Sequence, residues 1–236
     1  MYLQLRGDEL HKANQILYIL YSVEKNSYSS LSKLGLQKLI YLSAVLAPAK
    51  KIILSIVQFK REQRGPYSKD IQNIVDHLVA CGLVDVVEFK VTYKNNSIAY
   101  YRISKGGMEA VKRLILIEKE SEKYWWMDMI TRLSIVFSED EGLDSEKELV
   151  GIDKIVRLVY EDLDFKSVEN DFGVIIDAER STLSASLIEF THTYITQNAE
   201  LLDFDDKDII ELVIMAYFEF LHSKYLDKLW KSNSVK

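Results

Sequence analysis

Between Gly65 and Leu114 the order of turn, helix and strand signals narrows the fold more than any other part of the chain. Gly65-Pro66-Tyr67-Ser68 reads as a turn, with the Ser68 hydroxyl placed to accept from the free N–H groups of a first helical turn. Ile71, Ile74, Val75, Leu78 and Val79 then follow the i, i+3, i+4, i+7, i+8 spacing of one helical face, and Gly82 supplies the stop. LVDVVEFKV and SIAYYRIS read as two strands joined across Lys94-Asn95-Asn96, where asparagine tolerates the positive φ of a hairpin tip. A further helix opens at Ser104 or Lys105.

Upstream, residues 8–24 set Leu10, Ala13, Leu17, Leu20 and Tyr21 at helical spacing, with Asp8 at the positive end of the dipole. A polar turn at 25–30 leads to a second helical run carrying Leu34, Leu39, Leu42 and Leu46, which Pro48 ends. ILSIVQF at 53–59 is short, β-rich and bounded by charge, and reads as a strand. Helix, helix, strand, helix, hairpin, helix is the order of a winged helix-turn-helix. The expected fold is therefore mainly α with a small β wing, a winged-helix domain over residues 1–137 and an acidic helical domain over residues 138–236.

In that reading one long helix runs from about residue 105 through Trp125-Trp126 towards Phe137. The acidic run SEDEGLDSE at 138–146, with Gly142, marks the boundary. Three helices follow at 145–162, 177–200 and 206–230, with a loop and a short extended piece at 165–176. The second carries Leu183, Leu187, Phe190 and Tyr194 on one side. The last is apolar on more than one face, so it is central in its own domain or covered by a partner. Tyr217, Phe218, Phe220 and Trp230 are its candidate interface residues. The Trp125-Trp126 pair is core or interface, and burial is expected of both because large aromatics bury well in either setting.

The net charge of −6 conceals an asymmetry: residues 1–120 hold 18 Lys+Arg against 11 Asp+Glu, whereas residues 121–236 hold 12 against 25. A basic half followed by an acidic one suggests two surfaces with different partners; equally, the halves face each other or the acids serve solubility. No stretch approaches the ~20 apolar residues of a membrane-spanning helix. The first residues lack the layout of a secretory signal, and Cys81 is the only cysteine, so a cytoplasmic protein without an internal disulfide is expected.

GLQKLIYLS at 35–43, RGPYSKDIQNIVDHLVACGLVDV at 64–86 and YRISKGGMEAVKRL at 101–114 resemble the winged-helix region of Panacea-type antitoxins and related small bacterial proteins. Ser104-Lys105-Gly106 stands where those families open the closing helix with T-x-K-G, with Ser for Thr and no intervening residue. The resemblance covers roughly residues 8–117 and implies a winged helix in a DNA-binding regulator or antitoxin. In size, architecture and charge split the chain is also similar to the accessory subunits of Lamassu and other three-component defence systems built on an SMC-like ATPase. That likeness implies a subunit without an active site that bridges the ATPase to an effector or toxin.

Catalytic chemistry finds little support. His11, His77, His192 and His222 form no HExxH or HxH arrangement, and one cysteine completes no usual zinc site. No phosphate-binding glycine loop of either common kind is present. In Asp203-Phe204-Asp205-Asp206-Lys207-Asp208 the fifth position of a calcium loop would be Lys207 and the sixth, which needs glycine, Asp208. Asp177 with Glu179 is a faint nuclease-like pair, but Arg180 stands where a lysine is needed and stays protonated. Neither cofactor nor metal is expected, and a metal-dependent nuclease is the weakest reading.

DNA contact has a better case. The polar side of the 69–80 helix offers Gln72, Asn73 and His77 for base edges or a partner, but Asp70 and Asp76 would face phosphates. Lys60, Arg61, Arg64, Lys69, Lys90 and Lys94 are candidates for sequence-blind contact with a nucleic-acid backbone, or simply pair with acids. The reading that unites charge split, recognition face and absent site is a non-catalytic adaptor bound to other protein subunits in a bacterial complex.

Overall fold

The computed structural model describes residues 7–26, 30–50, 52, 54, 58–62, 65–91, 97–138, 155–168, 175–177, 183–199 and 204–233. The first half runs α1 (Gly7–Lys25), β1 (Leu31–Ser32), α2 (Lys33–Leu46), a 3-10 turn (Ala47–Lys50) and β2 (Gln58–Glu62). It continues with β3 (Gly65–Tyr67), α3 (Lys69–Ala80), β4 (Val84–Val91), β5 (Ser97–Ile103), α4 (Lys105–Ile115) and α5 (Glu118–Ser138). The acidic half adds α6 (Ile155–Val159), α7 (Leu163–Ser167), β6 (Ile175–Asp177), α8 (Leu183–Ala199) and α9 (Asp206–Asn233). The fold is mainly helical, with small antiparallel sheets in the orders β1-β5-β4 and β3-β2-β6. Among the described residues no helix is long and apolar enough to cross a membrane.

The α3–β4 turn and the α4 cap form as their residue types demand. The Gly82 N–H donates to Val79 O at 3.0 Å and the Leu83 N–H to Leu78 O at 2.9 Å, with Gly82 at φ +71°. That pair of bonds satisfies the last α3 carbonyls and needs the left-handed backbone that glycine adopts freely. Ser104 caps α4 by accepting from the Gly107 N–H at 3.0 Å and donates back to Gly82 O at 2.7 Å. The end of α3 and the start of α4 are thereby stitched together. A Cβ at Gly107 would lie 2.2 Å from the Leu83 carbonyl oxygen and 2.7 Å from Ile103 Cγ1. Gly107→Ala is accordingly expected to lower stability by about 1–3 kcal/mol, the usual range for overpacking. Urea denaturation measures this, and an unchanged midpoint would mean that α4 lifts off Leu83 at no cost.

Several boundaries differ from those expected. The strand placed at 53–59 is β2, three residues beyond the expected end, while residues 53 and 55–57 lie outside the described residues. Its position follows from its partners, since Lys60, Arg61 and Glu62 face Tyr67, Pro66 and Gly65 on one side. On the other side Gln58 and Phe59 face Asp177 and Ile176 of β6. Gly65-Pro66-Tyr67 is thus a strand rather than a turn. Ser68 occupies the N-cap position of α3 without a side-chain cap bond. The Gln37 amide holds its backbone instead, accepting from Ser68 N and donating to Ser68 O, both at 3.0 Å. The single helix expected over 105–137 breaks at Leu116 and Ile117, because α4 closes on β5 while α5 lies along α1.

In the acidic half, α6 ends at Val159 rather than 162, and α7 at Leu163–Ser167 runs into the loop expected at 165–176. Asp162 causes both, since its Oδ1 accepts from the Phe165 N–H at 2.8 Å and starts a new helix. The extended piece expected within 165–176 is β6, at 175–177, while α8 starts at Leu183 and α9 runs on to Asn233. The Asp205 carboxylate accepts from Lys207 and Asp208 N–H groups at 2.8 and 2.9 Å, which makes it the α9 cap. The boundary stretch 139–146 lies outside the described residues.

One apolar cluster runs from Ile16 and Leu20 of α1 through Leu39 and Leu42 of α2 to Val213, Ile214 and Phe218 of α9. Trp126 is fully buried in it and donates to Ser43 O at 3.0 Å, while Trp125 is half-buried beneath the Lys50 ammonium at 4.4 Å. Buried polar bonds fix the register of this core. Ser22 donates to Asp128 at 2.6 Å and the Tyr18 hydroxyl bonds Glu120, tying α1 to α5. Asp162 accepts from Tyr41 of α2 at 2.6 Å, Tyr217 of α9 at 2.5 Å and Ser184 of α8 at 2.9 Å. The buried Lys38 ammonium donates to Pro66 O at 2.6 Å and holds β3 on α2.

Candidate interaction surface

The α3 face is built by amphipathic spacing: Ile71, Ile74, Val75 and Leu78 are buried, which leaves Lys69, Asp70, Asn73 and Asp76 exposed. Its polar side chains are partly committed to one another. Gln72, a candidate for base contact, donates to Asp76 at 2.7 Å and to the Tyr101 hydroxyl at 3.2 Å. Asp70 stands 4.0 Å from the Lys12 ammonium. His77 is half-buried with Nε2 at 3.5 Å from Cys81 Sγ. Asn73 and Lys69 alone of the candidate base and phosphate ligands on this helix are exposed.

The basic candidates divide in the same manner. Lys60 is exposed on β2. Arg61, its neighbour, points the other way along the strand, donating to Phe165 O at 3.1 Å with the guanidinium carbon 4.6 Å from the Phe165 ring centroid. That guanidinium docks the acidic half onto β2, and a stacked, hydrogen-bonded arginine of this kind is poorly placed to take a phosphate. Lys90 lies on β4 opposite Ile98, and Arg64 and Lys94 lie outside the described residues.

On the adjoining β4 strand three apolar side chains meet solvent. Val86, Val87 and Phe89 are 46, 39 and 62 % exposed. A register shift between Val86 and Glu88 places an extra residue in the strand, so the pleat alternation is lost there. Sequence reasoning missed this patch, although two consecutive valines in a strand are a signal that the alternation fails. Asp85 and Arg102 form an exposed pair at 3.8 Å that borders it.

Of the four interface candidates on α9, Tyr217 and Phe218 are corrected to core: they are 2 and 0 % exposed because α9 is clasped by α5, α6 and α8. Phe220 is half-buried and Trp230 is exposed. Asp177 is on β6 opposite Gln58, whereas Glu179 and Arg180 lie outside the described residues. Among the described residues no group of three or more His, Cys, Asp or Glu side chains stands close enough to hold a metal ion. No protein-family model matches the chain, and no curated protein matches it.

Proposed function

We propose that the chain is a non-catalytic winged-helix adaptor that bridges protein partners within a bacterial complex in the cytoplasm. In this reading α1 to α4 with the β1-β5-β4 sheet are the winged helix, and β4–β5 is its wing. The single observation that carries it is the wing's exposed Val86, Val87 and Phe89. Such a patch gains free energy by being covered with apolar surface and offers nothing to a phosphate backbone. The engaged Gln72 and the docked Arg61 point the same way. By its resemblance in size and architecture to accessory subunits of defence systems, the partner is an SMC-like ATPase or an effector.

The test is co-purification with the products of neighbouring genes, with the protein carrying Val86→Ser and Phe89→Ser as comparison. Wild type is expected to hold a stoichiometric partner and the double variant to bind it roughly 10- to 100-fold more weakly, as for loss of two central apolar contacts. A wild-type protein that purifies alone beside all its neighbours would sink the adaptor reading. Exposed Lys69 and Asn73 support a second reading, a DNA-binding regulator. Sequence-preferring binding at about 150 mM salt favours it, because contacts to phosphate alone weaken steeply there.

A further inference from the structure

We infer that the outer face of α8 is a self-association surface, which pairs with the same helix of a second copy of this chain. α8 buries Ser184, Ala185 and Ile188 against α9 and the core. On the opposite side Leu183, Phe190 and Tyr194 are 58, 70 and 62 % exposed, with half-buried Leu187 between them. The spacings of four, three and four residues are those of a coiled-coil seam, where apolar residues recur every 3.5 residues on average. Scattered exposed apolar residues need no explanation, but a continuous stripe on one helix marks a contact.

Charge chooses the occupant. Residues 121–236 carry 25 Asp+Glu against 12 Lys+Arg, whereas α8 has Glu189 and His192 as its only acidic or basic side chains. The stripe is flanked by Ser186, Thr191 and Thr193 instead of acids. A basic partner would be steered to the acids and would gain nothing from a face stripped of them. Two copies of an acidic chain meet with least repulsion where acids are few, and the outer face of α8 is such a place. Antiparallel pairing about a two-fold axis sets Leu183 against the second Tyr194 and Leu187 against the second Phe190, so one stripe satisfies both sides.

A helix of this length is about 25 Å long. A pair of such faces buries less than the roughly 800 Å² per partner of a standard interface, so the dimer forms with concentration instead of being obligate. α8 and the wing are separate surfaces, and loss of one association leaves the other in place.

Light scattering from micromolar to several hundred micromolar protein is the test. The wild-type mass is expected to climb from 27.4 kDa towards twice that value. Phe190→Lys/Tyr194→Lys should stay at the monomer mass throughout with an unchanged circular dichroism spectrum, and Leu116→Lys, on an exposed residue away from α8, should dimerise like wild type. Amide exchange of the unmodified protein gives a second readout that needs no variant, with protection on raising concentration expected along α8. A wild-type protein that stays monomeric at every concentration overturns the inference. So does a dimer that the double lysine variant leaves intact, or protection that rises elsewhere and not on α8.

Discussion

Replacing Asp162 with alanine is expected to lower folding stability by about 3–5 kcal/mol, the cost of breaking a buried network by removing its charged member. The carboxylate accepts from the Tyr41 and Tyr217 hydroxyls, the Ser184 hydroxyl and the Phe165 N–H. These donors sit on α2, α9, α8 and α7, so one side chain joins three helices of the acidic half to the second helix of the basic half. Burial pushes the Asp162 carboxyl above the usual carboxylate range, while the tyrosine hydroxyls and the Phe165 amide pull it down; burial prevails. Alanine would leave three hydroxyls and an amide turned towards one another in the interior, where an unsatisfied donor costs about 1–3 kcal/mol. Tyr217→Phe, which removes one donor and leaves the acceptor occupied, should cost about 1 kcal/mol. Urea denaturation of the three proteins decides the matter. A loss below about 1 kcal/mol for the alanine variant would mean that the cluster repacks and does not hold the halves together.

The parts of this fold that could be read from sequence are those fixed by neighbours close in the chain. α3 follows from its apolar spacing, and the Gly82 stop and the start of α4 depend on bonds that reach no farther than α4. β2 falls later than the local pattern predicts because its bounds are set by β3 and by β6, more than a hundred residues away, which no local pattern reports. The break between α4 and α5 was hidden for a similar reason. Apolar residues continue through Leu116 and Ile117, yet Leu116 is 86 % exposed there because the chain is turning from β5 towards α1.

Buried polar groups were the least legible. Gln37, Lys38 and Tyr41 stand in a leucine-rich helix with every one of its residues from Gly35 to Leu46 buried, so their role rests on what α2 meets on each side. Tyr217 looked like an interface residue because α9 is apolar over much of its surface. Its hydroxyl goes instead to Asp162 and Ser184, two polar residues on other helices that nothing in the α9 sequence announces. Arg61 looked like part of a basic patch, but the alternation of β2 turns it to Phe165 while Lys60 faces outward. A count of charges does not show which side of a strand they occupy. The bulge that defeats alternation in β4 lies within its apolar patch of Val86, Val87 and Phe89, so the surface on which the proposed protein-binding role rests arises where the sequence pattern fails.

The wild-type protein is expected to gain stability relative to Lys38→Met as pH rises from about 6 to about 9. Lys38 is 1 % exposed and its ammonium meets the Pro66 carbonyl beneath β3. Burial pushes its pKa down from 10.5 to about 7, against the opposing pull of the Glu62 carboxylate. In the unfolded chain the amine keeps its proton to about 10.5, so between the two values the unfolded state binds one proton more than the folded state and rising pH favours folding. Each unit of that window is worth about 1.4 kcal/mol, so the change between about pH 7 and 9 is on the order of 2–3 kcal/mol. Below about pH 7 the folded protein carries a buried ammonium, and the methionine variant, free of that charge, should be the more stable of the two. Its advantage should shrink as pH rises, because the folded wild type then sheds the buried charge and keeps a neutral amine that donates to Pro66 O, a bond methionine lacks at every pH. The comparison stops short of about pH 10, where Tyr18, Tyr41, Tyr124 and Tyr217, all raised by burial, begin to favour the unfolded chain in both proteins. Denaturation midpoints of both proteins across the range give the answer. A gap that stays constant with pH would mean that Lys38 keeps its proton in the folded state and reaches a carboxylate or solvent, which would free β3 from the role assigned to it.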